Sequence, residues 1–195
     1  MSLANDGWVV RSRGSRTVIT PLFQRPVLGL EVLEPLEELA RRQGWECGTE
    51  QATFSTGGAD EEEATKLQID VDSPVTRLSR VKTIDGDPLA LMRSVIPEAT
   101  ASEAELRREF RDSITTLMAR SRPLRFAESE VGAESCSEEL GLTLGLSPGD
   151  PVIVLEELFF ADTPVPLLWN MNWIAPGRIR FELLRRPPRG APVET

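Results

Sequence analysis

Apolar and β-branched residues interleave with polar ones along two neighbouring segments in the middle of the chain. The first runs from Pro74 to Thr83 and the second from Leu89 to Ile96. Such interleaving is typical of strands with one buried face. Asp85-Gly86-Asp87 lies between the segments, and an Asp-Gly pair favours a tight turn. The sequence therefore predicts a β-hairpin at this position.

Helical spacing and capping residues mark five further segments. Ser102 with Glu105, and Ser135 with Glu138, have the three-residue spacing of a capping box. Acids at 60–63 would lie at the positive end of a helix dipole. The predicted helices are 33–42 closed by Gly44, one starting at Asp60, one from Ser102 to about Phe110, one from Asp112-Ser113 to about Arg120, and one from Ser135 to Gly141.

Four more segments have the composition of strands. They are Glu46 to Ser55, Leu124 to Val131, a run beginning at Val152, and Leu167 to Ile174, the last two joined by a turn at 162–164. With the central hairpin they make one antiparallel sheet of about six strands. The predicted fold class is α+β, with the helices packed on one face of that sheet.

The two ends of the chain lack the long strand and helix patterns of the middle. Residues 1–3 resemble a vector remnant. Residues 7–19 contain two short β-prone runs around a Ser-Arg-Gly-Ser turn, which predicts a small hairpin, and Pro21 and Pro26 bracket a linker. Beyond Pro187 the sequence is rich in Pro and Arg, and we expect residues 188–195 to be a flexible tail.

Composition and charge exclude several classes of function. The 195 residues include 31 Asp plus Glu, 22 Lys plus Arg and no His, which rules out a Ser-His-Asp triad and a histidine-ligated metal site. Nine acids and no base lie between Arg125 and Arg178, and they equal the net charge of −9. An acidic chain repels the phosphate backbone, so these residues alone should bind nucleic acid poorly. Cys47 and Cys136 are expected to be reduced thiols in a cytoplasmic protein, without metal or cofactor.

Motifs in both halves resemble one known family. The segment 75–97, VTRLSRVKTIDGDPLALMRSVIP, runs from an Arg-x-Lys strand into Asp-Gly-x-Pro and a returning strand. Glu-Glu-Leu-Gly-Leu at 138–142, Gly-Asp-Pro-Val at 149–152 and Pro-Val-Pro at 164–166 follow in order. Together these segments resemble the UTRA domain over about residues 30–185. The resemblance implies a chorismate lyase-like fold and the effector-binding half of a bacterial GntR-type regulator of the HutC subfamily.

The N-terminal segment resembles a second part of such a regulator. Residues 8–18, WVVRSRGSRTV, are similar to the wing hairpin of a GntR winged helix-turn-helix. The resemblance implies that residues 4–26 are a wing remnant with linker, that Arg11, Arg13 and Arg16 belong to a DNA-binding surface, and that 27–187 form the UTRA domain. A solvated hairpin without function is the alternative. Without a recognition helix, specific DNA binding is not expected.

The central hairpin supplies candidate ligand groups. Arg80 and Lys82 are two residues apart on one strand, so their side chains share a face and could hold an anion. Solvent-facing cations paired with acids are the alternative. The resemblance implies that this pair holds the anionic group of an effector, with Lys82 replacing a second arginine. Met92 stands where many relatives have a glutamate, and Ser94 follows on the same face.

Two further regions complete the candidate site. Ser113 matches the start of a family helix where a hydroxyl and backbone N–H groups hold an anion, and Thr115 replaces a tyrosine there, although Ser113 could be a plain helix cap. Trp169 and Trp173 share a face of the last strand, as packing residues or as an aromatic pocket wall. Asn170 and Asn172 point to the other face. We expect a pocket between Arg80, Lys82, Ser113 and the two tryptophans.

These features predict a ligand-sensing domain, not an enzyme. We expect a homodimer that binds a small anionic metabolite and thereby modulates operator binding by a winged helix-turn-helix. One alternative is a chorismate lyase-like enzyme acting on an aromatic carboxylate, and another is a dimerisation module without ligand. The carboxylate pairs Glu128/Glu130 and Glu156/Glu157 are expected at the surface, so they do not favour catalysis.

Overall fold

The computed structural model describes residues 9–10, 18–19, 28–111 and 113–182, and the chain divides into two compact units. The smaller unit comprises residues 1–32 and 179–195. In it β1 (Val9–Val10) pairs antiparallel with β2 (Val18–Ile19), as the hairpin prediction for 7–19 requires, and β3 (Leu28–Gly29) pairs in parallel with β10 (Phe181–Glu182). The predictions for residues 1–3, for Arg11, Arg13 and Arg16, and for 188–195 lie outside the described residues.

The larger unit, residues 33–178, contains one six-stranded sheet and five helices. Its strands follow the order β4-β5-β6-β9-β8-β7, and each neighbouring pair is antiparallel. This confirms the α+β class and the six-stranded sheet. The elements are α1 (Leu36–Gln43), β4 (Cys47–Gly58), α2 (Glu61–Leu67), β5 (Pro74–Ile84), β6 (Asp87–Pro97), α3 (Glu103–Glu109), α4 (Ile114–Ser121), β7 (Phe126–Ser135), α5 (Glu138–Leu144), β8 (Pro151–Phe160) and β9 (Leu168–Ile174).

The central hairpin forms as its turn residues predict. Asp85 and Gly86 connect β5 to β6 and have φ values of 51° and 84°. Two consecutive residues in the left-handed region make the tight turn that fits the twist of antiparallel strands. The Asp85 carboxylate also accepts a hydrogen bond from the Glu46 backbone N–H at 2.8 Å, which fixes the turn against the start of β4.

The sheet is covered on both faces, whereas the sequence predicted helices on one. Leu78 and Ile96 pack with α3 and α4 in one apolar cluster, and we call this side the α4 face. Val75 and Val95 have the opposite parity on the same strands and pack with α2 in another cluster, on the α2 face. Helix α5 packs in a third cluster with the α2-face residue Trp173. Buried residues of both parities along β9 require cover on both sides.

Local capping rules locate most helix ends. Asp60 forms a capping box with Glu63, and Ser102 and Ser113 each accept a hydrogen bond from the backbone N–H three residues later. Helix α5 differs from the prediction, because it is capped by Ser137 instead of Ser135 and reaches Gly145 instead of Gly141. Ser135 is the last residue of β7, where it pairs with Pro151, so it is not available as a cap.

Gly141 lies where α5 approaches the loop that follows it. A methyl group on its Cα would be 2.6 Å from the Leu146 carbonyl oxygen and 3.6 Å from the Cys136 Sγ. The Leu146 N–H donates to the Gly141 carbonyl at 3.0 Å, so the loop backbone cannot move away without losing this bond.

Gly141→Ala is therefore expected to lower the free energy of unfolding by about 1–3 kcal/mol, the usual cost of overpacking. The clash outweighs the gain of roughly 0.5–1 kcal/mol that alanine brings to a helix. Gly132→Ala is the control, because a methyl group on Gly132 in β7 meets nothing within 4 Å. Urea denaturation of both variants measures the difference. An equal free energy for the two variants would contradict the close approach.

Candidate functional site

Arg80 is a charged side chain in the interior of the domain. It projects from β5 onto the α4 face and is only 3% exposed. Its Nη1 donates to the Ser94 Oγ at 2.9 Å, and its guanidinium lies 5.9 Å from the centre of the Phe110 ring. Burial lowers the pKa of Arg80 to about 10, so the group still carries its charge at neutral pH. Its Nε has no hydrogen-bond partner among the described residues.

Two buried asparagines on β9 extend this polar region. The strand register sets Asn170 opposite Ser94, and Asn172 opposite Met92, which is itself opposite Arg80. All five side chains therefore share the α4 face. The Oδ1 atoms of Asn170 and Asn172 have no donor within the described part of the chain, although both residues are less than 5% exposed. The three buried polar atoms without a partner among the described residues thus lie on β5 and β9, the strands on either side of β6.

Glu157 on β8 continues the same row of side chains. It stands opposite Asn170, and its Oε2 accepts a hydrogen bond from the Asn172 Nδ2 at 3.0 Å. Burial raises the pKa of Glu157, while hydrogen bonds from Asn172, Ser129 and Asn170 act in the lowering direction. Glu157 is therefore half-buried and hydrogen-bonded, whereas the sequence predicted a surface acid.

Lys82 shares the α4 face with Arg80 as predicted, but its charge is already matched. Its Nζ lies 2.5 Å from the Glu37 Oε1 of α1 and 2.6 Å from the Thr49 Oγ1 of β4, and the residue is 1% exposed. Lys82 thus links α1 to the sheet edge, and the cation with unsatisfied hydrogen-bonding capacity is Arg80.

The start of α4 lies next to this region. Ser113 is the N-cap, with its Oγ accepting from the Thr116 N–H at 3.2 Å and lying 2.8 Å from the Thr115 Oγ1. Phe110, three residues earlier, stacks on Arg80, so the connection between α3 and α4 covers the guanidinium. Both hydroxyl groups are half-buried, and Ser113 does serve as a helix cap.

The two tryptophans lie on the other side of the sheet. Trp169 is opposite Val95 and Trp173 is opposite Leu91, so both belong to the α2 face. The Trp169 indole N–H donates to the Glu156 Oε1 at 2.9 Å. The expected pocket between Arg80 and the tryptophans is therefore not formed, because the sheet itself separates them. On β9 the side chains that share the α4 face with Arg80 are Asn170 and Asn172, and not the two tryptophans.

The match to a family model decides the identity of this fold. Residues 42–180 match the UTRA domain, which is more than half of the chain. The chain belongs to the UTRA domain family. No curated protein sequence matches it. The matched segment contains the sheet residues of the α4 face and the start of α4, so the polar region just described is part of the UTRA domain.

Solved structures of bacterial regulators share this UTRA fold. PhnF from Mycobacterium smegmatis is 26% identical with a TM-score of 0.73, and the match covers 94% of this chain and 80% of that one. The effector domain of the same protein is 24% identical with a TM-score of 0.69, covering 78% of this chain and 95% of that one. The ligand-binding domain of a GntR-family regulator from Bordetella bronchiseptica is 14% identical with a TM-score of 0.67, covering 72% and 90%. These findings support a regulatory, effector-binding domain.

Two other properties of the UTRA domain bear on its chemistry. Within the described residues, no group of three or more His, Cys, Asp or Glu side chains could hold a metal ion. In the same part of the chain, no helix has both the length and the apolarity needed to cross a bilayer.

Sequence reasoning missed the asparagines and Glu157 as site residues. Their signal was present, since Asn-x-Asn within an otherwise apolar strand puts two amides on one buried face. Which face that is depends on the pairing of β6 with β9, and the structure supplies this information.

Proposed function

We propose that this UTRA domain binds a small anionic metabolite on the α4 face, with Arg80 as the group that recognises the negative charge. The observation that carries the proposal is the buried Arg80 guanidinium with an unpaired Nε, on the same face of the sheet as two unpaired amide oxygens one strand beyond β6. Leaving such groups unsatisfied costs roughly 1–3 kcal/mol each, so their retention favours a ligand that completes them. One of the similar solved structures is described as an effector domain, which agrees with the binding of a small molecule.

The polar groups define the chemistry of the ligand. A phosphate or carboxylate would accept hydrogen bonds from Arg80 and from the Ser94 hydroxyl. The Oδ1 atoms of Asn170 and Asn172 can only accept, so the ligand should carry hydroxyl or amine donors next to its charge. Ser113 and Thr115 at the start of α4 are further candidate partners, and Met92 supplies an apolar contact. Lys82 contributes to this site only indirectly, because its charge pairs with Glu37 and connects α1 to the sheet.

Regulation would follow from a difference in affinity between two arrangements of the protein. A ligand shifts an equilibrium only as far as it binds one state better than the other. We infer that the responding element is a DNA-binding winged helix-turn-helix of a GntR-type regulator in the HutC subfamily, with Arg11, Arg13 and Arg16 on its wing. Binding without turnover is the function we favour over a chorismate lyase-like reaction, because the solved relatives are regulators.

A panel of small anions tests this function directly. Inorganic phosphate, glycerol 3-phosphate and glucose 6-phosphate, each at constant ionic strength, are compared with neutral glucose by thermal shift and calorimetry. At least one anion is expected to raise the melting temperature in a saturable way, and glucose is not. Equal shifts with glucose, or no shift with any anion at millimolar concentration, would argue against an anion site. Recovery of the bound compound unchanged after hours separates binding from turnover.

We further infer that the domain forms a homodimer through the outer edge of β7. This ten-residue strand ends the sheet, and both Phe126 and Val131 are about half exposed. An unpaired strand edge of this length can extend a sheet into a second copy. Glu128 and Glu130 on the same strand would repel their counterparts, so salt should strengthen the association. Analytical ultracentrifugation at tens of micromolar is expected to show a dimer, with tighter association at higher salt, and a monomer at all salt concentrations would contradict it.

A further inference from the structure

The α2 face contains a cavity on the side of the sheet opposite to the Arg80 side chain, and its lining also includes Leu78 and Ser94 of the two central strands. Its volume is about 510 Å³, within the range of small-molecule pockets. Residues of β4, β5, β6, β9 and α2 line it, and they include Ser79, Arg93, Met171 and Trp173. The strand register places Arg93 opposite both Ser79 and Met171, so these side chains have the parity of the tryptophans and not of Arg80.

The floor of this cavity is apolar and aromatic. Trp169, Met171 and Trp173 project from alternate positions of β9, and Met171 and Trp173 remain partly exposed. The Trp169 indole N–H is satisfied by Glu156, so that residue presents its ring and not its polar edge to a ligand. Thioether and indole groups make a polarisable surface suited to a flat ring system.

One of the two arginines lining the cavity is available to a ligand. Arg77 is held by two hydrogen bonds to the Glu63 carboxylate, at 2.6 and 2.5 Å. Arg93 lies 5.2 Å from the centre of the Trp173 ring, and no hydrogen bond to its guanidinium is present within the described residues. The nearest acid, Glu139, is 4.0 Å away and 89% exposed. Such a solvated pair contributes little, so Arg93 can exchange it for a ligand anion.

The acids around the cavity limit the ligand to a single negative charge. Asp60 and Glu63 are engaged with each other's backbone in the capping box of α2, and Glu63 also neutralises Arg77. Glu62, in contrast, is an exposed acid on the cavity wall. A second anionic group on the ligand would face Glu62 without a free cation to offset the repulsion.

We propose that this cavity is a second ligand site, which takes a flat, mainly apolar molecule with one carboxylate. The ring system lies over Met171 and Trp173, and the carboxylate accepts hydrogen bonds from Arg93. It differs from the proposed anion site in its charged group, because Arg93 and Arg80 project from opposite faces of the sheet, although Ser94 borders both.

Calorimetry and tryptophan fluorescence with 2-naphthoate test the second site, with 2-naphthamide as the uncharged counterpart. Naphthoate is expected to bind with a dissociation constant below about 1 mM, at least fivefold more tightly than the amide. Arg93→Gln should remove this preference, and Trp173→Leu should weaken both compounds at least tenfold. Arg80→Met, on the α4 face, should change neither affinity, so failure here is distinguishable from failure of the proposed function.

Three results would overturn the second site. They are no naphthoate binding at 1 mM, an unchanged carboxylate-over-amide preference in Arg93→Gln, and a loss of naphthoate binding in Arg80→Met. Arg93 has a side chain that is 54% exposed, so its replacement should leave folding intact. If Trp173→Leu proves unstable, the preference measured with Arg93→Gln decides the question alone.

Discussion

Arg80→Met is expected to abolish anion binding on the α4 face while leaving the free domain as stable as the parent, or more stable. Among the described residues the buried guanidinium hydrogen-bonds to Ser94, and its Nε has no partner. Replacing a poorly compensated buried charge by an apolar side chain of similar length is often neutral or stabilising, by up to about 4 kcal/mol. The lost hydrogen bond offsets roughly 1 kcal/mol of that gain. Binding should fall at least a hundredfold, about 2.7 kcal/mol, because the anion loses the guanidinium that is proposed to bind it.

The pH dependence supplies an independent signature of this buried charge. Because burial lowers the pKa of Arg80 to about 10, the folded state holds the proton less tightly than the unfolded chain does. The resulting penalty is fully present below pH 10, and it diminishes as the pH rises above that value. The stability gained in Arg80→Met should therefore be largest at neutral pH and shrink above pH 10. Chemical denaturation from pH 7 to 11 measures it.

A matched control separates this effect from a general loss of positive charge. Arg41→Met removes an arginine of α1 whose side chain is 70% exposed and which pairs with Glu38 on the same helix. Neither the free energy of anion binding nor the free energy of unfolding should change by more than about 0.5 kcal/mol. A large destabilisation in Arg80→Met together with intact anion binding would mean that Arg80 is a structural residue.

Local chemistry explains why much of the fold was predictable. The Asp85-Gly86 turn fixes the β5–β6 hairpin, and that register puts Arg80 opposite Met92 without any distant information. Likewise Ser102 caps α3 because its hydroxyl needs only the N–H of Glu105. Most features encoded within a few residues of each other were therefore correctly anticipated, and the cap of α5 is an exception.

The candidate site depended on pairing between distant strands, which no local pattern encodes. The sequence placed Trp169 and Asn170 on opposite faces of β9, but only the pairing of Ser94 with Asn170 shows which one shares a face with Arg80. A shift of one residue in that register would have exchanged them. Glu157 was misjudged for the same reason, because its burial follows from its position opposite Asn170. The cap of α5 is Ser137 and not Ser135, because Ser135 pairs with Pro151 of β8 as the last residue of β7.

Arg77→Met is expected to lower the free energy of unfolding by about 2–3 kcal/mol, in the opposite direction to Arg80→Met on the same strand. Arg77 is an ion-paired arginine, since its Nε and Nη2 both donate to the Glu63 carboxylate and Nη2 also donates to the Gly58 carbonyl at 2.7 Å. These bonds raise the pKa of Arg77. Removing one partner of a buried pair typically costs about 3–5 kcal/mol, because the other charge stays buried. Here Glu63 is 5% exposed, but a third of the Arg77 side chain is solvated, which reduces the cost.

A double-mutant cycle with Glu63→Gln decides whether the stranded carboxylate causes this loss. The amide keeps an oxygen that can accept the Asp60 N–H, which the Glu63 Oε2 accepts at 3.0 Å in the capping box of α2. In the Arg77→Met background, Glu63→Gln should therefore recover at least about 1 kcal/mol, although the same change alone should destabilise the parent. Urea denaturation of the four proteins measures the coupling. Additive effects of the two substitutions would show that packing by the Arg77 stem, and not the buried charge of Glu63, accounts for the lower free energy of unfolding. The opposite effects expected for Arg77→Met and Arg80→Met would then have no electrostatic explanation.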